Sequence, residues 1–65
     1  AGLSRREEEV FDLLAAGRSA PFIAETLYVE TSTAKSHIAR IYSKLGVHTR
    51  QELLNLVEDA RAGQE

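Results

Sequence analysis

The run Ser32-Thr33-Ala34-Lys35-Ser36-His37-Ile38-Ala39-Arg40-Ile41-Tyr42-Ser43-Lys44-Leu45-Gly46 decides the fold. Ala34, Ile38, Ile41 and Leu45 recur at intervals of four, three and four, which is one face of an α-helix. The spacing predicts a helix from about Ser32 to Leu45, about 21 Å long, with Gly46 as its stop. At about 100° per residue the apolar four fall within about 40° of Ala34. The opposite side carries Ser32, Ser36, Ala39 and Ser43, every one small. Lys35 borders that side on one edge, and Arg40 and Lys44 on the other.

This arrangement has a physical use. A DNA major groove, about 12 Å wide, admits a helix whose leading face is slim. Small side chains let the backbone approach base edges, and cations at both borders meet the phosphate strands. Two other readings stand beside it. A solvated face is one, although such faces favour long Glu, Lys and Gln over the poorer helix former serine. Close packing against another helix, which small residues also permit, is the other.

Working outward, residues 26–33 are rich in β-branched side chains and could read as a strand. No second strand pattern exists to pair with it, so Thr31, Ser32 and Thr33 are assigned to a helix start instead. Upstream, Ser19 is a candidate cap and Pro21 suits a first helical turn, giving a short helix from about Ala20 to Leu27 with Ile23, Ala24 and Leu27 inward. Ser4-Arg5-Arg6-Glu7 is a capping box, and Val10, Leu13 and Leu14 continue it as a helix from about Arg5 to Ala16, ended by Gly17. Downstream, Thr49-Arg50-Gln51-Glu52 is a second capping box, followed by Leu53, Leu56, Val57 and Ala60 as an inner face. A fraying tail is expected from Ala62. The expected architecture is all-α: a compact four-helix domain spanning 1–65, ordered over about 3–61. The short link between its second and third helices has helix-turn-helix length, although the usual turn glycine is absent.

Sixty-five residues leave room for one domain with a small core. Without Cys, a disulfide framework and a thiolate metal site are excluded. No apolar run approaches the roughly 18 residues of a membrane span. Ala1 reads as the edge of an excised domain. The net charge of −2 is unevenly spread. Residues 1–30 carry −3, residues 31–50 carry +4 from Lys35, Arg40, Lys44 and Arg50, and residues 51–65 carry −3. A basic centre between acidic ends suits an anionic partner.

The remaining titratable residues point to no chemistry. His37 lies at the core edge and His48 in a loop, too few ligands for a metal; His37 reads as structural or phosphate-contacting. Phe11 and Tyr42 read as core-edge packing. Glu7, Glu8 and Glu9 compensate the helix dipole. Arg5 and Arg6 either touch a phosphate or pair with Glu8 and Glu9. No nucleophile–base pair stands out, so the expectation is a non-enzyme with no metal or cofactor.

Taken in order, these residues resemble the LuxR-type (NarL/FixJ) helix-turn-helix domain. Leu3-Ser4-Arg5-Arg6-Glu7-Glu8-Glu9-Val10 is similar to its Leu-Thr-x-Arg-Glu-x-Glu-Val opening, and Leu14-Ala15-Ala16-Gly17-Arg18-Ser19 to the Leu-Ala-x-Gly-x-Ser that follows. Ile23-Ala24 with Leu27 resembles the Ile-Ala-x-x-Leu of the second helix. Thr33-Ala34-Lys35-Ser36-His37, then Ile41-Tyr42-Ser43-Lys44-Leu45-Gly46-Val47 and Arg50, match the most specific stretch. The likeness covers residues 3 to about 57. There are departures: Ala20-Pro21-Phe22 stands for Asn-Lys-Glu, Glu30 for a serine cap, and Ala34 for valine.

The resemblance implies the DNA-binding domain of a bacterial transcriptional regulator, its third helix in the major groove. The expected DNA-binding residues are Ser32, Thr33, Lys35, Ser36, Ala39, Arg40, Ser43, Lys44 and Arg50. Ser32, Ser36, Ala39 and Ser43 face the bases in this reading, Lys35 a guanine or a phosphate, and Arg40, Lys44 and Arg50 phosphates. The family's fourth helix commonly forms a dimer on DNA. Here Leu54, about 100° from Leu53, with Glu58 and Arg61 would make that interface. Expected partners are double-stranded DNA, a second copy, an upstream sensory domain and RNA polymerase, in the cytoplasm or tethered to a membrane sensor. The competing class is a helical protein-interaction module that has lost specific DNA binding.

Overall fold

Ser4 opens the first helix as expected. Its hydroxyl accepts from the Glu7 N–H at 3.2 Å while the Glu7 carboxylate accepts from the Ser4 N–H at 2.9 Å. From there the chain forms α1 (Arg5–Ala15), α2 (Ala20–Leu27), α3 (Thr31–Leu45) and α4 (Arg50–Ala62). The computed structural model describes residues 2–63; residue 1 and residues 64–65 of the expected domain lie outside the described residues. There is no strand among the described residues, and the β-branched stretch 26–33 is the end of α2, a turn and the start of α3. Among the described residues no helix is long and apolar enough to cross a membrane.

Three helices end in one geometry. After α1, α2 and α3 a residue enters the left-handed region, and the next N–H reaches back five residues to a carbonyl. These bonds run from Arg18 to Leu13, from Val29 to Ala24 and from Val47 to Tyr42, at 3.0, 2.9 and 3.0 Å. Gly17 and Gly46 fill two of the left-handed positions, with φ of 84° and 71°. Tyr28 fills the third at φ 59°, and its side chain is 95% exposed. The turn of the helix-turn-helix is therefore present without its glycine, and a tyrosine carries the strain.

The core is small. Val10, Leu14, Ile23, Ala24, Ala34, Ile41 and Leu53 are buried, with Leu3, Phe11, Leu13, Leu27, Ile38, Tyr42 and Leu45 among those packed around them. The closest packing is between α2 and α3; α1 also lies along α3, while α4 rests on α1. Ala34 is fully buried, the small side chain standing at the inward line of α3.

The fourth helix departs from expectation in two ways. Its buried edge is Leu53 with half-buried Leu54 and Val57, whereas Leu56 is 42% exposed and Ala60 is exposed. Because α4 leans on α1, the buried edge lies further round the helix than its leucine spacing indicates. The second capping box is also only half made. Thr49 accepts from the Glu52 N–H at 3.1 Å, but the Glu52 carboxylate takes the His48 N–H, at 2.8 Å, instead of that of Thr49. Glu52 thus pins the loop one residue before the cap. The helix itself continues through Ala62, where fraying was expected to begin.

The N-cap of α3 is Glu30, and its side chain makes no capping hydrogen bond. A serine there satisfies an orphan N–H that the longer glutamate leaves open. Glu30→Ser is therefore expected to stabilise the domain by about 0.5–1 kcal/mol. At about 4–8 °C per kcal/mol, a thermal melt reads this directly as a rise in midpoint.

Candidate nucleic-acid interface

The outward side of α3 is built as the sequence indicates. Ala34 and Ile41 are buried and Ile38 and Leu45 half-buried, which turns Ser32, Thr33, Lys35, Ser36, Ala39, Arg40 and Ser43 to the exterior, all exposed. None of Ser32, Ser36, Ala39 and Ser43 extends beyond a hydroxymethyl or methyl group. The Ser36 hydroxyl donates to the Ser32 carbonyl one turn back, at 3.1 Å. Its proton is committed in that rotamer, and its lone pairs remain to accept. A groove of about 390 Å³ continues this side past the C-terminus of α3, lined by Ala39, Tyr42, Ser43, Gly46, Val47 and His48.

The cations divide into two kinds. Lys35 and Arg40 are exposed and form no salt bridge among the described residues. Lys44 is different. Its Nζ lies 2.7 Å from Oε1 of Glu7, linking α3 to α1 across 37 residues. The Lys44 side chain is 44% exposed, the Glu7 side chain only 5%. The residue expected to meet a phosphate is thus first the counter-ion of a buried carboxylate, and its role is structural before it is anything else. Arg50 is likewise anchored, its Nη2 donating to the Arg18 carbonyl at 2.8 Å. Arg18 in turn stands over the Phe22 ring, 4.9 Å from its centroid. Arg6 pairs with Glu9 at 3.2 Å, the alternative to a phosphate contact. His37 is half-buried with Nδ1 inside and unpartnered.

Two of these relations escaped the sequence reading. Glu7 as the partner of Lys44, and Arg18 as the neighbour of Arg50, join residues more than thirty positions apart, and no local spacing signals either. The residues named for a dimer do meet: Leu54, Glu58 and Arg61 line one groove of about 230 Å³ with Ala15 of α1. Leu54 itself is half-buried against the core, so the exposed leucine of α4 is Leu56.

Comparison with known proteins places this geometry in context. The model of the bacterial regulatory proteins of the luxR family matches residues 1–57. The probable transcriptional regulatory protein NarL of Mycobacterium tuberculosis is 54% identical over 48 residues, covering 74% of this chain and 22% of that protein. The spore germination protein GerE of Bacillus subtilis is 37% identical over 62 residues, covering 95% of this chain and 81% of its own. The transcriptional regulatory protein TdiR of Thauera aromatica is 40% identical over 57 residues, covering 88% of this chain and 25% of its own. No solved structure matches the chain.

The Glu7–Lys44 pair has a pH signature. The Lys44 ammonium, and after it the Ser4 N–H, hold the Glu7 carboxyl at about 2 against an ordinary 4.5. A carboxyl depressed on folding contributes stability that is fully present above its unfolded value and lost as pH falls through the folded one. That contribution should therefore fade between pH 4.5 and about 2. Glu7→Gln should flatten this part of the profile, read as the urea midpoint against pH. A midpoint that falls equally in both proteins contradicts the pairing.

Proposed function

The chain belongs to the luxR family of bacterial regulatory proteins, and from that membership we propose that it binds double-stranded DNA sequence-specifically, as the DNA-reading part of a transcriptional regulator. The chain spans 22% of the mycobacterial NarL and 25% of TdiR. In this reading further regions of a longer protein supply the sensory input, and RNA polymerase is the downstream partner.

The observation that carries the reading is the outward side of α3. Its small residues clear a path to base edges, and Lys35 and Arg40 stand on either border with no salt bridge among the described residues. Ser36, whose proton is turned to Ser32, serves as an acceptor for the amino group of cytosine or adenine, and Ala39 packs on a thymine methyl. Lys35 reaches a guanine or a phosphate. Arg40 lies against phosphates, which position the helix without reading sequence. Lys44 contributes its exposed side while remaining bound to Glu7. Dimerisation on DNA through α4, around Leu54, Glu58 and Arg61, completes the proposal and gives two half-sites.

Selection of bound duplexes from a random pool tests this reading. A recurring half-site is expected. Against that site, Ser36→Ala and Ala39→Glu should change which base variants bind, by about 1–3 kcal/mol per contact. Arg40→Ala should weaken all variants alike and make the salt dependence shallower by about 0.9 in log–log slope. Enrichment of no sequence at all favours the protein-interaction module.

A further inference from the structure

We infer that Arg18 and Arg50 form a two-guanidinium clamp on a backbone phosphate of the bound duplex, with the Phe22 ring holding Arg18 in place. This rests on the DNA-reading proposal above and adds residues from α2 and the α1–α2 turn to the interface.

Four observations carry it. Arg18 stands 4.9 Å from the centroid of Phe22, a geometry that orients a guanidinium over a π face. Phe22 is 44% exposed on an eight-residue helix, and its stacking under Arg18 gives that exposure a use. Arg50, on the first turn of α4, places its Nη2 2.8 Å from the Arg18 carbonyl, which fixes the second guanidinium beside the same turn. Neither arginine forms a salt bridge among the described residues, whereas Arg6 and Lys44 do. The acid nearest to Arg50 in sequence, Glu52, is taken by the His48 N–H and lies 3.6 Å from the His48 imidazole.

The position follows from continuity. The groove that extends the small-residue side of α3 is walled by Val47 and His48. The same loop runs through Thr49 into Arg50, and Arg50 touches the Arg18 turn. A duplex seated on α3 therefore carries one phosphate strand along this loop toward the two arginines. Guanidinium forks suit a phosphate better than an ammonium does, since each offers two parallel N–H donors. Folding also corrects the charge pattern. Arg18 comes from the acidic first thirty residues, yet it ends beside the basic central segment.

The test measures binding by fluorescence anisotropy, using a short mixed-sequence duplex and the duplex selected from the random pool, at about 50 and 200 mM salt. Arg18→Ala should weaken both duplexes by the same factor and make the salt slope shallower by part of one phosphate's share of about 0.9, the full share being lost when Arg50→Ala is added. That share is roughly a 3.5-fold change in affinity over this salt range. Phe22→Leu should produce part of the same loss, and should add nothing in the Arg18→Ala background. Arg18→Gln, which keeps the stem over the ring and removes the charge, should behave as Arg18→Ala does; thermal melts of each variant check that the fold is kept. The clamp is overturned, with the DNA reading intact, if wild type binds with a salt slope that Arg18→Ala and Arg18→Gln leave unchanged. It is also overturned if their loss appears on the selected duplex alone, which marks a base contact. If wild type binds neither duplex, the DNA reading itself fails and the clamp falls with it.

Discussion

A helix that is to enter a groove must be gripped along one narrow edge, because everything else on its circumference has to stay free. In this protein α3 is held in that way. Ala34 and Ile41 are the fully buried contacts of α3, and both lie on one line with the half-buried Ile38 and Leu45. The apolar part of that grip is narrow, within a core of few residues. Glu7 supplements it by accepting from the Ser4 N–H and the Lys44 ammonium at once, so a single carboxylate caps α1 and ties α3 to it. A buried carboxylate is tolerable only because both of those donors reach it.

The second requirement is that the chain turn sharply at each helix end, so that short links set the angles. Left-handed residues at positions 17, 28 and 46 provide the turns. Glycine does this without strain. Tyr28 does it at a cost, with its ring exposed, and the bond from the Val29 N–H to the Ala24 carbonyl and the packing of α2 on α3 hold it there. The turn after α3 then carries Val47 and His48 along the edge of the outward side before α4 begins, so the loop prolongs the surface that α3 presents.

Much of this was legible in the sequence because it is local. The apolar intervals of α3, the Ser4 capping box and the stops at Gly17 and Gly46 each depend on steps of five positions or fewer. The small-residue side of α3 follows from the same periodicity, and the structure keeps Ser32, Ser36, Ala39 and Ser43 exposed. What escaped is either non-local or rotational. Lys44 looks like a free cation until α1 is laid beside it. Arg18 looks like part of an acidic segment until α4 begins next to it. The inner face of α4 is harder to place from spacing, because three leucines and a valine, Leu53, Leu54, Leu56 and Val57, cover more than one side. Which of those sides is buried depends on how α4 leans on α1. Tyr28 escaped for a different reason: local preference argues against a tyrosine in that conformation, and the tertiary packing of α2 on α3 overrides it.

The central claim, that the outward side of α3 is what meets DNA, is tested most directly by titrating the ¹⁵N-labelled domain with its selected duplex and following each backbone amide by NMR. The largest shifts are expected on Ser32 to Ser43, with a second group in the loop around Val47 and His48. Shifts confined to α4 and the Leu56 side, with α3 unmoved, would contradict it.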